Sequence, residues 1–106
     1  MGFDVTLGRT DDWTVVRAAG EVDLMTADRF GAAVREQASR GPVLVDLEAL
    51  TFMDSSGVRA IHALLVAARQ DGWKLRFAPR LRDNVRQVLR MTGMLEAIPF
   101  EDAPAR

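Results

Sequence analysis

A short apolar segment that leads through a polar turn into an amphipathic helix constrains the fold of this chain most. The segment, VLVDL at residues 43–47, is almost uninterrupted, which is typical of a strand buried on both faces in the middle of a sheet. The letters DSSG follow soon after, and apolar spacing then predicts a helix over 56–70. A buried strand that leads into a helix indicates the α/β class.

The rest of the chain also alternates between strands and helices. The other predicted elements are strands at 3–7, 13–18, 74–77 and 97–100, and helices after Thr26 and over 83–93. The first two strands flank a polar turn and predict an antiparallel hairpin, whereas strands joined by helices predict parallel pairing. Thr26 is the expected N-cap of the first helix, which Gly41 and Pro42 end. Gly93 is the expected C-terminal cap of the last helix, and Pro99 suits a sheet edge.

The length of 106 residues fits one small domain with a single core. No repeat, linker or low-complexity tract divides it, so we expect one domain over residues 1–106. The predicted fold is α/β, with a mixed, mostly parallel β-sheet of four to five strands, an N-terminal hairpin and about three flanking helices.

The charge balance and the absence of cysteine exclude several classes of function. Fourteen basic residues nearly cancel fifteen acidic ones, so no net field favours nucleic acid or an anionic membrane. Without cysteine there is no disulfide scaffold, thiolate metal site or thiol catalysis. We see no leader at the start and no apolar run of about 18 residues, and therefore expect a cytoplasmic protein without a membrane segment.

The DSSG motif at the start of the second helix has two interpretations. Asp54 or Ser55 can accept a hydrogen bond from a backbone amide of the first turn, which makes the motif an ordinary cap. The same position also favours negative charge, so the fold would tolerate a phosphoryl group on a hydroxyl there. The residues alone leave both interpretations open.

Enzymatic and metal-binding alternatives are weaker. His62 is the only histidine and, on one helix, lies about 10 Å along the axis from Ser55, too far to serve as its base. A magnesium cluster of Asp23, Asp46 and Asp54 is conceivable, although Asp46 is expected to face out of its strand or to end it. We expect no enzyme, no cofactor and no metal.

The second helix has two distinct faces at about 100° per residue. The face expected to meet the core consists of Val58, Ile61, Leu64, Leu65 and Ala68. A second arc, called the outer strip below, consists of Arg59, His62, Val66 and Arg69. Ser55 projects onto the side of the outer strip, which is left for solvent or a partner.

Three segments carry a resemblance to a known family. They are GEVDLMTA at 20–27, VLVDLEALTFMDSSGV at 43–58 and VLRMTGMLEAIPF at 88–100. In this order they resemble the STAS-domain family, and specifically its bacterial anti-sigma factor antagonists. The most specific element is the strand, the Leu-x-x-Leu-x-Phe-Met loop and the Asp-Ser-Ser-Gly at a helix start.

The resemblance implies a role for each residue of the motif. Ser55 matches the serine that an anti-sigma factor with GHKL-type serine kinase activity phosphorylates. Asp23 and Asp54 match residues that shape the phosphorylation and binding surface, and Ser56 and Gly57 complete the helix start. The outer strip would be the flanking contact for the partner.

The resemblance also implies a mechanism of partner switching. The unphosphorylated antagonist binds the anti-sigma factor and frees the sigma factor, the phosphorylated form does not bind, and a PP2C-type phosphatase resets the cycle. The alternative is a non-phosphorylated STAS interaction subunit of a lipid transporter or a stress-signalling scaffold, which binds a nucleotide or lipid in some cases. Such domains generally have a further helix after the last strand, whereas only EDAPAR follows Phe100 here, too short for a stable helix.

Overall fold

The computed structural model describes residues 2–102 of the chain. The elements are β1 (Phe3–Arg9), β2 (Thr14–Val22), α1 (Ala27–Ala38), β3 (Val43–Met53), α2 (Ser55–Asp71), β4 (Leu75–Phe77), α3 (Asp83–Met91) and α4 (Met94–Ala97). None of these helices is long and apolar enough to cross a membrane.

The four strands form one mixed sheet in the order β1-β2-β3-β4. β1 and β2 pair antiparallel as the predicted hairpin, and β2–β3 and β3–β4 pair in parallel. α1 connects the first parallel pair and α2 connects the second. The predicted α/β class, the mixed sheet and the internal position of VLVDL are therefore confirmed.

β3 is longer than the sequence pattern predicted. The segment after VLVDL was expected to be a loop, but the strand continues to Met53. Its pairing with β2 shifts register twice, between Arg17 and Ala19 and between Gly20 and Glu21. Such bulges break the regular alternation of inward and outward residues, so this half of the strand does not show a strand-like pattern.

VLVDL is buried on both sides, by different structures. Val43, Val45 and Leu47 belong to the main core, which includes residues from all four helices. On the opposite side of the sheet, a second and smaller cluster consists of Trp13, Val15, Leu44 and Ala78. The Lys74 ammonium lies 4.8 Å from the centre of the Trp13 ring and covers part of this cluster. All buried apolar residues of the helices therefore belong to the main core, on one face of the sheet.

The C-terminal part differs from the prediction of a strand at 97–100. Residues 94–97 form the single turn α4, and among the described residues after α4 only Phe100 pairs with the sheet, as an isolated parallel bridge to Phe77. Gly93 has φ 78° after the end of α3, as its predicted capping role requires. Residues 103–106, and with them most of EDAPAR, lie outside the described residues.

Candidate functional site

The candidate site lies where β2 and β3 end side by side. Val22 and Met53 are paired in the parallel ladder, and the Asp54 amide donates to the Val22 carbonyl at 3.3 Å. Asp23 follows one strand and Asp54 follows the other. Parallel pairing therefore brings together two predicted site residues that are 31 positions apart in the chain.

Asp54, and not Ser55, is the side-chain cap of α2. Its backbone is extended, with φ −114° and ψ −166°, and its Oδ1 accepts a hydrogen bond from the Ser56 amide at 2.8 Å. Its carbonyl accepts from the amides of Gly57 at 3.0 Å and Val58 at 3.3 Å. Since Asp54 supplies the cap, the Ser55 hydroxyl is not needed for it. Ser55 is the first residue of α2 and is exposed.

Ser56 and Gly57 lie beneath this surface. Ser56 is only 9% exposed, and Gly57 is buried. A Cβ on Gly57 would stand 2.6 Å from Met53 Cγ and 3.0 Å from Val22 Cγ1. Gly57 therefore lets α2 begin directly against the ends of both strands. These two residues position Ser55 and offer little surface of their own to a partner.

The turn after β2 is held by its own side chains. Thr26 occupies the predicted N-cap position of α1, but its hydroxyl does not cap that helix. Instead it donates to the Glu21 carbonyl at 2.8 Å and accepts from the Asp23 amide at 2.9 Å. Asp23 Oδ1 accepts from the Met25 amide at 2.9 Å. Thr26 and Asp23 therefore stabilise the turn that lies beside Asp54.

α2 presents the two predicted faces. Val58, Ile61 and Leu64 are buried, and Leu65 and Ala68 are partly buried against the core. The outer strip of Arg59, His62, Val66 and Arg69 is exposed along its whole length. His62, Val66 and Arg69 of the strip line a depression of about 330 Å³, whose other wall includes Ala97 of α4. The strip thus continues from the level of Ser55 to the far end of α2.

Sequence reasoning missed two apolar residues at this end of the sheet. Leu24 and Met25, in the turn after Asp23, are 76% and 82% exposed. The available signal was the placement of two large apolar side chains within a polar turn. Phe52, at the end of β3, is also exposed, at 41%.

The described residues do not form a metal site or a pair of serine nucleophile and histidine base. In residues 2–102, no three carboxylate, histidine or cysteine side chains are grouped as metal ligands. Asp46 is directed elsewhere, because its carboxylate pairs with Arg17 Nε at 3.4 Å and accepts from the Glu48 amide. Ser55 and His62 are seven residues apart on one helix, or about 10 Å along its axis.

Comparisons with known proteins agree with this architecture. An anti-sigma factor antagonist from Mycobacterium paratuberculosis superposes with a TM-score of 0.77 at 20% identity, over 96% of this chain and 87% of that chain. The antagonist SpoIIAA in its unphosphorylated form gives a TM-score of 0.72 at 22% identity, over 95% and 89%. The phosphorylated form of the Bacillus cell fate determinant SpoIIAA gives 0.66 at 21% identity, over 95% and 92%. These TM-scores show a shared fold, and at identities of 20–22% they show the fold alone. The family model for the STAS domain matches residues 4–105, and the chain therefore belongs to the STAS-domain family.

Proposed function

We propose that this protein is an anti-sigma factor antagonist that acts by partner switching, with Ser55 as the phosphorylated residue. The observation that carries the proposal is an exposed serine at the start of α2, beside Asp54 and the Asp23 turn, in a STAS domain. The fold is shared with solved antagonists, one of them described in a phosphorylated form. The Ser55 hydroxyl is accessible and is not needed for the helix cap.

In this proposal the protein is a substrate and a binding partner, and not an enzyme. The unphosphorylated form binds an anti-sigma factor with GHKL-type serine kinase activity, and the sigma factor is released. That kinase transfers the γ-phosphoryl group of ATP to Ser55 Oγ, the hydroxyl proton leaves, and ADP is the other product. A PP2C-type phosphatase hydrolyses the ester and restores the serine. This cycle belongs in the cytoplasm, where the sigma factor acts.

Phosphorylation should change the interface more than the fold. A phosphoserine carries about −1.5 to −2 charges, and a helix N-terminus stabilises negative charge. The new charge lies beside the Asp54 carboxylate, in a surface that a partner has to desolvate. Burial of an unpaired charge in an interface costs about 2–5 kcal/mol, and about 1.4 kcal/mol already weakens binding tenfold. The switch therefore works through binding affinity.

The first test is phosphoryl transfer to single-residue variants. We expect Ser55→Ala to abolish labelling by the anti-sigma factor and ATP, whereas Ser56→Ala retains it because Ser56 is buried. Persistent label on Ser55→Ala would refute the assignment. Tight binding without any transfer to the wild-type chain would favour the alternative of a non-phosphorylated interaction subunit.

A second test separates the interface from the fold. Ser55→Asp should weaken binding to the anti-sigma factor without lowering the melting temperature, because the helix start accepts the charge. An early-melting Ser55→Asp protein would contradict the proposed mechanism.

The outer strip is proposed as the flanking contact, since it is exposed and lies on the side of Ser55. Val66 is 41% exposed within it, and Val66→Glu should reduce binding of the anti-sigma factor. Leu7→Glu is the control, because Leu7 is 55% exposed on the edge strand β1, outside the strip. If the two variants bound the anti-sigma factor equally well, the outer strip would not be a contact for the partner.

A further inference from the structure

We infer that Leu24 and Met25, called the apolar pair below, form an anchor that inserts into an apolar pocket of the anti-sigma factor beside its nucleotide site. The inference rests on the proposed function and adds to it a source of affinity that is separate from the phosphorylated residue. It assigns binding strength to the apolar pair and the switch to Ser55.

The apolar pair combines high exposure with adjacency in the sequence. Both side chains are more than three-quarters exposed and adjacent in sequence, whereas Val22 and Met53 at the strand ends are buried and Phe52 is 41% exposed. Single exposed apolar residues are common on protein surfaces, but adjacent ones beside a functional site indicate an interaction surface.

The backbone that carries the apolar pair is already ordered. The Met25 amide donates to Asp23 Oδ1 at 2.9 Å, and the amides of Thr26 and Ala27 donate to the Asp23 carbonyl at 3.1 and 2.8 Å. The Thr26 hydroxyl closes the turn from the other side, through Glu21 and Asp23. A fixed turn loses little conformational entropy when it binds, so more of the gain from apolar burial appears as affinity.

The position of the turn identifies the partner that covers it. Asp23 continues from Val22, whose carbonyl accepts the Asp54 amide, so the turn and the start of α2 form one edge of the molecule. A kinase that brings ATP to Ser55 Oγ must cover this edge, and the apolar pair then lies against the kinase. In protein interfaces a few side chains buried in well-packed, desolvated pockets supply most of the binding energy.

The apolar pair is uncharged, which distinguishes its contribution from that of Ser55. Salt screens the interactions of exposed charges and has little effect on apolar burial. The loss of affinity caused by removal of the pair should therefore be nearly constant from low to moderate salt. The loss caused by a negative charge at position 55 should depend on salt.

The test is a titration of the anti-sigma factor that co-purifies with the wild-type chain, at two salt concentrations. We compare the wild type, the double variant Leu24→Ala/Met25→Ala and the control Leu7→Ala. Leu7 is exposed like the pair, but it pairs with Val16, six residues or about 20 Å before the end of β2. We expect the double variant to bind at least about 30-fold more weakly at both salt concentrations, with an unchanged melting temperature, and the control to bind like the wild type.

The outcomes distinguish this inference from the proposed function. Unchanged affinity of the double variant, with wild-type binding intact, would overturn the inference and leave the function in place. The inference would also be overturned if the double variant lost only self-association in sedimentation, or only binding to anionic phospholipid vesicles. If the wild-type chain bound no anti-sigma factor, the proposed function would fail, and the anchor with it.

Discussion

Gly57→Ala is the most direct test of how the site is built into the fold. The added methyl group would lie 2.6 Å from Met53 Cγ and 3.1 Å from Met53 Sδ, and 3.0 Å from Val22 Cγ1. Favourable carbon contacts lie at about 3.5–4.0 Å, so the overlap with Met53 Cγ is about 1 Å. Met53 and Val22 are 2% and 0% exposed, and neither side chain can move into solvent.

The net cost follows from two opposing terms. Overpacking of a buried site by one methyl group costs about 1–3 kcal/mol, and an overlap this close with fully buried atoms belongs to the upper part of that range. Replacement of glycine by alanine in a helix returns up to about 1 kcal/mol. We therefore expect Gly57→Ala to destabilise the domain by about 1–2 kcal/mol, which lowers the melting temperature by about 5 °C or more.

Gly31→Ala provides the matched control. Gly31 lies inside α1, and a Cβ there meets nothing within 4 Å. Only the propensity term remains, so this variant should be more stable than the wild type by about 0.5–1 kcal/mol. Urea denaturation followed by circular dichroism measures both changes. If Gly57→Ala were stabilised as much as Gly31→Ala, the close approach of α2 to the strand ends would not be what requires glycine.

Two further substitutions test the hydrogen bonds of the site. Thr26→Val keeps the shape of the side chain but leaves the Glu21 carbonyl and the Asp23 amide without their partner, and we expect a loss of about 1–3 kcal/mol in urea denaturation. Wild-type stability of this variant would contradict the role of Thr26 in the turn. Asp54→Ala should cost about 1 kcal/mol through loss of the cap to Ser56, and Asp54→Asn should cost clearly less because its amide oxygen still accepts. Equal losses in thermal melts would show that charge, and not the hydrogen bond, provides the cap.

The sequence was sufficient to predict those elements whose side chains follow one regular period. The apolar run VLVDL predicted an internal strand, and each of its apolar residues is buried in the structure. The two faces of α2 followed from the helical period, and the exposed side of the outer strip is where that period placed it. To predict that Asp23 and Asp54 lie close together, one has to know that β2 and β3 are neighbours in the sheet. The strand–helix alternation indicated parallel pairing but not this order.

Irregular backbone accounts for the predictions that failed. The two register shifts in the β2–β3 ladder hid the second half of β3, because a bulge places consecutive residues out of alternation. At the C-terminus, AIPF has strand-like composition, but α4 includes its first residue, and the following residues meet the sheet in one isolated bridge, Phe100 to Phe77, through the hydrogen bonds of Pro99 and Glu101.

Thr26 lies at the predicted N-cap position, but its hydroxyl donates to the Glu21 carbonyl and accepts from the Asp23 amide, and does not cap the helix. The sequence pattern around Thr26 cannot predict this hydrogen bond, because only the folded turn brings the Glu21 carbonyl within reach of the Thr26 hydroxyl.

The hydrogen bonds at the start of α2 indicate that a charge on Ser55 would affect a binding partner more than the helix itself. Asp54 Oδ1 already accepts the Ser56 amide, and the Asp54 carbonyl accepts those of Gly57 and Val58. A phosphoryl group on Ser55 can take these amides only by displacing a carboxylate and a carbonyl that are held in place. The helix dipole still favours the charge, but the phosphate oxygens remain directed at solvent or at a partner. If Ser55 is phosphorylated as proposed, the charge would therefore be left for the partner to contact, and would not be neutralised by the amides of Ser56, Gly57 and Val58.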